Sequence, residues 1–295
     1  MLKLDNVSKT FTNGKGIFDV NLTVNKGETF GFLGPNGAGK STTIRHLMGF
    51  IKPEKGTAFI NNLNTWDHAS DVQSIVGYLP GEISFLDHMT GMDFLNLMGK
   101  MRKSAHNHYR DELIKRFEFD VHTPIRKMSK GMKQKVGIVA AFMHKPDVLI
   151  LDEPTSGLDP LMQQVFVDLL LEEKKRGVTI FMSSHIFSEI EKVCDRISII
   201  KDGRIVATEP IHEIRKNKTQ TFTVSLSSAE DVNYILQSPL HAQLDRKHDV
   251  HIIVKGNFDE FFRVLSAVHV VHMTSEEEHL EQLFMNYYRQ GENEK

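Results

Sequence analysis

The run Gly34-Pro35-Asn36-Gly37-Ala38-Gly39-Lys40-Ser41-Thr42 holds the residues best suited to chemistry, because it fits the pattern G-x-x-x-x-G-K-[ST]. A loop of this kind turns successive backbone N–H groups inward, and a helix that follows adds the positive end of its dipole. Both favour a polyphosphate. Lys40 is placed to reach the β- and γ-phosphates and Ser41 to hold Mg²⁺. That chemistry needs a strand before the loop and a helix after it. Glu28-Thr29-Phe30-Gly31-Phe32-Leu33 is short, apolar and β-prone, and Thr43-Ile44-Arg45-His46-Leu47-Met48 carries apolar residues at helical spacing. Chance produces the bare pattern in about one chain in a hundred of this length, so a glycine turn without a ligand is the weaker reading.

A second half-site follows the aliphatic run Val148-Leu149-Ile150-Leu151, which ends in Asp152-Glu153-Pro154. This spacing predicts a buried parallel strand that delivers two carboxylates to its C-terminal edge. Asp152 is placed to hold the Mg²⁺ shell, usually through water, and Glu153, one residue further out, to polarise an attacking water. An isolated Asp-Glu pair would merely solvate a strand end. Downstream of a phosphate loop the catalytic reading is the stronger one.

Further segments lie in a telling order. Phe11 sits in Val7-Ser8-Lys9-Thr10-Phe11. Met128-Ser129-Lys130-Gly131-Met132 precedes Lys133-Gln134-Lys135 and an apolar helix over residues 136–142. Thr155-Ser156-Gly157-Leu158-Asp159-Pro160 directly follows the carboxylates, and Ser183-Ser184-His185 follows the strand-like Val178-Thr179-Ile180-Phe181-Met182. From Leu2 to about Pro210, in order and spacing, these segments resemble the ATP-binding cassette of ABC transporters, over roughly two thirds of the chain. The resemblance makes residues 128–132 the counterpart of the signature motif LSGGQ and residues 155–160 the D-loop. His185 becomes the switch histidine, and Phe11 the aromatic that stacks on adenine.

The fold this resemblance implies is α/β: a P-loop NTPase cassette with a mixed sheet core and a helical subdomain over about residues 85–145. It also implies ATP and Mg²⁺ as ligands. In this family the signature helix faces a neighbouring subunit's phosphate loop, so the Ser129 hydroxyl and the Gly131 backbone would contact the γ-phosphate held by a second cassette. A homodimer, or a pair with a related cassette, would then bury two nucleotides, with Lys40, Mg²⁺ and His185 doing most of the transition-state work. An integral membrane permease is the implied partner, export the implied direction, and the cytoplasmic face of the cell membrane the implied place. A soluble regulatory, ribosome- or DNA-associated ATPase of the same class is the alternative. The ribosome- or DNA-associated class usually has two cassettes or long coiled-coil inserts, and neither is present; against a regulatory module stands Glu153, which a switch that need not hydrolyse can do without.

The chain departs from the family pattern at three places. Lys130 replaces the first signature glycine, and Met132 the glutamine. At the Q-loop, Val76-Gly77-Tyr78-Leu79-Pro80 leads in correctly, but Gly81 stands where glutamine is expected and Glu82 follows. Either Glu82 takes over the metal or water contact, or the loop shifts by one residue.

At 295 residues the chain is long enough for a large α/β domain and a smaller one. Its net charge of −2 argues against bulk electrostatic binding of nucleic acid. Apolar stretches fall far short of the ~20 residues a membrane helix needs, so a soluble intracellular subunit is expected. Met1-Leu2-Lys3-Leu4-Asp5 reads as the start of a strand rather than a signal segment. The single Cys194 excludes an intrachain disulfide and reads as a small core residue. Methionines 89, 92, 98 and 101 at helical spacing fit either a core or an adaptable docking surface. The cassette is expected to span residues 1–217, ending near the basic stretch Ile214-Arg215-Lys216-Asn217-Lys218. A small α+β domain then covers 218–295, with a strand over residues 221–226, another over 250–254, and a last helix carrying Leu280, Leu283, Phe284, Tyr287 and Tyr288 on one stripe. That run resembles the C-terminal extension of bacterial single-cassette exporters of the ABC-2 type.

Overall fold

A computed structural model of the chain describes residues 1–86, 88–102, 107–216, 219–255 and 258–277. The boundary expected near residue 217 and the stripe from Leu280 to Tyr288 lie outside the described residues. Two compact units are present, Met1–Glu209 and Pro210–Lys295.

In the first unit, β1 (Leu2–Thr10) and β2 (Gly16–Val24) form an antiparallel pair. The next strand, β3 (Thr29–Leu33), leads through residues 34–39 into α1 (Lys40–Leu47). Strands β4 (Lys55–Ile60) and β5 (Leu63–Asn64) complete a four-stranded sheet of order β2-β1-β4-β5. Then come α2 (Ala69–Ile75), β6 (Val76–Leu79), and the helices α3 (Gly91–Met101), α4 (Asn107–Phe117) and α5 (Lys130–Phe142). The remaining elements are β7 (Val148–Asp152), α6 (Pro160–Lys175), β8 (Thr179–Ser184), α7 (Phe187–Val193), β9 (Arg196–Lys201) and β10 (Arg204–Pro210).

Six of these strands form a second sheet of order β10-β9-β3-β8-β7-β6. Strands β3, β7 and β8 are buried along their whole length, which is why they read as continuous apolar runs: a parallel strand is covered on both faces. Phe30, Phe32 and Phe181 stack at the centre, and Ile44 and Leu47 of α1 join residues of both sheets in one core. Each fully buried phenylalanine contributes on the order of 2–3 kcal/mol relative to exposure.

Register does the positioning. Leu33 at the end of β3 pairs with Ser184, and Asp152 at the end of β7 pairs with Ser183, so the phosphate loop, both carboxylates and His185 leave one edge of the sheet side by side. Parallel sheets bind ligands at this carboxyl edge.

The second unit comprises α8 (Ile211–Lys216), β11 (Thr219–Leu226), α9 (Ala229–Leu236), β12 (His241–Arg246), β13 (Asp249–Lys255), α10 (Asp259–Leu265) and β14 (Val270–Glu277). Its antiparallel sheet has the order β12-β13-β11-β14. Phe222, Val224, Val250 and Ile252 from the strands pack with Ile235 and Phe261 from the helices in a separate core.

Candidate functional site

The loop after β3 keeps its shape through glycines that nothing else could replace. A Cβ at Gly34 would lie 2.5 Å from the Ile200 carbonyl oxygen, and Gly39 has φ +112°, a left-handed conformation just ahead of α1. The helix therefore begins at Lys40, inside the motif, and aims its first N–H groups into the loop.

Lys40 is 6% exposed. Its Nζ donates to the carbonyls of Gly34 at 2.6 Å and Pro35 at 3.2 Å, and pairs with Glu153 Oε1 at 3.1 Å. Glu153 Oε2 accepts from His185 Nδ1 at 2.7 Å. An ionised carboxylate can only accept, so His185 carries its proton on Nδ1 in this contact. Glu153 thus stands between an ammonium and an imidazole, with half of the His185 side chain open to solvent. Its backbone has φ +49°, a left-handed conformation uncommon for a residue with a side chain, and its N–H donates to the Ser183 hydroxyl.

Asp152 is 3% exposed, and its Oδ1 accepts from the Ser183 hydroxyl. A Cβ at Gly81 would lie 3.2 Å from Asp152 Oδ2, so the glycine at the expected Q-loop glutamine lets the backbone approach the carboxylate closely. A cleft of 690 Å³ brings Ser41, Asp152, Glu153, His185, Gly81 and Glu82 together. Carboxylate and hydroxyl oxygens suit a hard divalent cation such as Mg²⁺, which commonly takes one or two protein ligands and completes its shell with water and substrate phosphates. Among the described residues, no group of three or more His, Cys, Asp or Glu could hold a metal unaided. Tyr78 lines the same cleft; burial, and then the Asp152 charge, push its phenol up to about 12.

A smaller pocket of 260 Å³ continues from the cleft over the loop and is lined by Phe11, Lys15, Pro35, Asn36, Gly37 and Gly39 together with Lys40, Ser41 and Thr42. Phe11 is 37% exposed there, as a ring available for stacking must be. Ala38 is buried beneath, its carbonyl accepting from Gly203 N–H.

Ser129 and Gly131 line neither cavity. Ser129 is the N-cap of α5, its hydroxyl oxygen accepting from Met132 N–H at 3.2 Å, and its own proton remains available as a donor. A Cβ at Gly131 would lie 2.7 Å from the Gly157 carbonyl oxygen, so glycine here brings α5 against residues 154–157. Lys130 Nζ donates to the Ser156 hydroxyl at 2.9 Å, and the buried Gln134 donates to the Pro154 carbonyl at 2.7 Å. The sequence pattern alone assigns no role to Gln134 or Ser183. Serines closing a buried strand were the signal available for Ser183; Gln134, between Lys133 and Lys135, carried none.

A profile of the ABC transporter family matches residues 17–156. Bacitracin transport ATP-binding protein BcrA of Bacillus licheniformis is 30% identical over 298 residues, covering 97% of this chain and 96% of its own. Linearmycin resistance ATP-binding protein LnrL of Bacillus subtilis (strain 168) is 29% identical over 305 residues, 97% of each. Among solved structures, an ATP-binding subunit of an ABC transporter, 32% identical, superposes with a TM-score of 0.68 over 73% of this chain and 92% of its own. A dimeric cassette in a post-hydrolysis state with ADP and Pi, 25% identical, gives 0.63 over 72% and 99%. Likeness that runs nearly end to end with one such relative places this chain in the ABC transporter family, among its ATP-binding, ATP-hydrolysing subunits.

Proposed function

We propose that this subunit powers export through a separate membrane permease by closing as a dimer on ATP. The observation that carries the reading is Glu153, held between Lys40 and His185 at the mouth of the phosphate loop. An incoming γ-phosphate competes for the Lys40 ammonium and takes it from Glu153. The freed carboxylate then orients a water for in-line attack, while His185 remains on its other oxygen. Ser41 and Asp152 are the residues to hold Mg²⁺, with Glu82 a further carboxylate lining the cleft. The ion, when bound, neutralises charge on the phosphates. Phe11 stacks on adenine, and residues 34–42 cradle the phosphates.

Lys130, Lys133 and Gln134 line the chain's own nucleotide cleft while Ser129 and Gly131 do not, and these two are the residues assigned to ATP on a second cassette. Two copies related by a two-fold axis complete two such sites, and loss of the γ-phosphate loosens the pair. A relative that is a dimer with ADP and Pi supports that cycle. Transport through a permease is supported by relatives named for bacitracin transport and linearmycin resistance, and no described helix is long and apolar enough to cross a membrane. A groove of 240 Å³ lined by Phe50, Phe94 and Met98 shares Tyr78, Pro80 and Ile83 with the nucleotide cleft, a suitable seat for a permease element that must sense nucleotide. The subunit then sits on the inner face of the cell membrane.

The test is size-exclusion chromatography with ATP, and phosphate release on the same samples, for wild type and Glu153→Gln. A stable ATP-bound dimer of the variant with turnover at least ~100-fold below wild type is expected. Monomers that still hydrolyse ATP would sink the proposal.

A further inference from the structure

We propose that Glu189 is a positioning residue for ATP hydrolysis, clamping together the two segments that carry Glu153 and His185. The inference rests on the hydrolytic roles given above to those two side chains. Glu189 lies in the first turn of α7. Its Oε1 accepts from the Thr155 hydroxyl at 2.6 Å, and its Oε2 accepts from the Ser184 hydroxyl at 3.0 Å. Thr155 is two residues beyond Glu153, and Ser184 immediately precedes His185. Both hydroxyl residues are buried, at 5% and 0% exposure, so neither donor has water as an easy substitute for the carboxylate.

The clamp is the contact that ties the two segments to one carboxylate. Half of the His185 side chain is exposed and its Nδ1 bonds Glu153, so the ring's place is set by the backbone from Ser184 to Ile186. Ser184 also accepts from Ile186 N–H at 2.9 Å, which fixes the turn around His185 to the same hydroxyl that Glu189 holds. On the other side, Glu153 occupies a left-handed backbone conformation, which persists only where its surroundings enforce it. Ser183 enforces one end of that turn through Glu153 N–H, and Glu189 enforces the other through Thr155. A shift of about 1 Å at such a pair is enough to cost on the order of 100-fold in rate.

The experiment measures steady-state ATP turnover and melting temperature for the full chain and for Glu189→Ala, Glu189→Gln, Thr155→Val, His185→Ala and the double variant Glu189→Ala/His185→Ala. Glu189→Ala is expected to lower kcat about 10- to 100-fold with KM for ATP within about threefold. Glutamine keeps an acceptor for Thr155, and its amide can donate to Ser184, whose proton then has the Ile186 carbonyl at 3.3 Å; Glu189→Gln therefore recovers most of the loss. Once His185 is gone, removing Glu189 costs clearly less than it does in the wild type, because residues acting as a unit are not additive, and what remains is its hold on the Glu153 turn through Thr155. Should Glu189→Ala fold poorly, Thr155→Val breaks the clamp from its other end and must reproduce the kcat loss. Wild-type kcat in these variants, or an equal loss with and without His185, overturns the inference. If His185→Ala and Glu153→Gln themselves keep wild-type turnover, the site reading has failed first; if they lose it while Glu189→Ala does not, only the clamp is wrong.

Discussion

Lys40 shows how a single side chain can be both structural and reactive. In the chain alone its ammonium satisfies two loop carbonyls and a carboxylate, so a buried cation stays paired until phosphate arrives. Four residues above Thr42, His46 is a different case. It is 1% exposed, its Nδ1 lies 2.8 Å from the Thr42 carbonyl, and its Nε2 has no hydrogen-bond partner. Burial holds its pKa below the ordinary value, against the partial opposition of the Thr42 hydrogen bond and with a smaller lowering from Lys9. The unfolded chain therefore binds a proton here that the native chain refuses. Stability from this site is present above the unfolded pKa of about 6.5 and is lost as pH falls below it. The melting temperature is expected to drop by a few degrees between pH 7.5 and 5.5, and His46→Leu to flatten that decline. An unchanged acid limb in the variant would show that other groups set it.

Among the elements, α5 is the one whose placement depends most on small residues. Gly131 admits the Gly157 carbonyl, while Gln134 and Lys130 hold Pro154 and Ser156. The lysine that departs from the signature pattern thus has a contact of its own, to the turn that follows the two carboxylates. A methyl group at 131 pushes α5 away from that turn, an overpacking cost of about 1–3 kcal/mol. Gly131→Ala is expected to weaken ATP-driven dimerisation about 5- to 150-fold, by that same energy, while nucleotide affinity of the monomer changes little. Titration calorimetry and sedimentation on the same preparation separate the two. A monomer that loses ATP affinity to the same degree would refute this placement of α5.

Over the whole molecule, the two units are built on separate cores. The first holds every residue assigned to nucleotide chemistry, and the second is sealed by its own strands and helices. Solved cassettes cover 72–73% of this chain, close to the share made up by the 209 residues of the first unit, whereas the bacitracin relative matches nearly all of it. A chain ending after Pro210 is therefore expected to bind ATP within about threefold of the full-length affinity, a difference below 1 kcal/mol. Calorimetry checks this, and a loss beyond tenfold would mean that the second unit contributes to the site.

Local order in the sequence was enough for the phosphate loop, the carboxylates at the end of an aliphatic strand, and the family itself. The loop and the carboxylate pair are runs of covalent neighbours whose chemistry depends on spacing of one to eight residues, and the family follows from the order of such runs along the chain. The start of α1 inside the motif and the use of the Ser129 hydroxyl as a helix cap were less legible, because a cap and a ligand contact call for the same residue type. Only the tertiary structure decided the partners that hold the site. Ser183 reaches Asp152 across 31 residues, Gln134 reaches Pro154 across 20, and Thr155 reaches Glu189 across 34. Those distances collapse through strand register and helix docking, which are set by burial of the whole core. A serine, a glutamine and a glutamate carry no local mark of it.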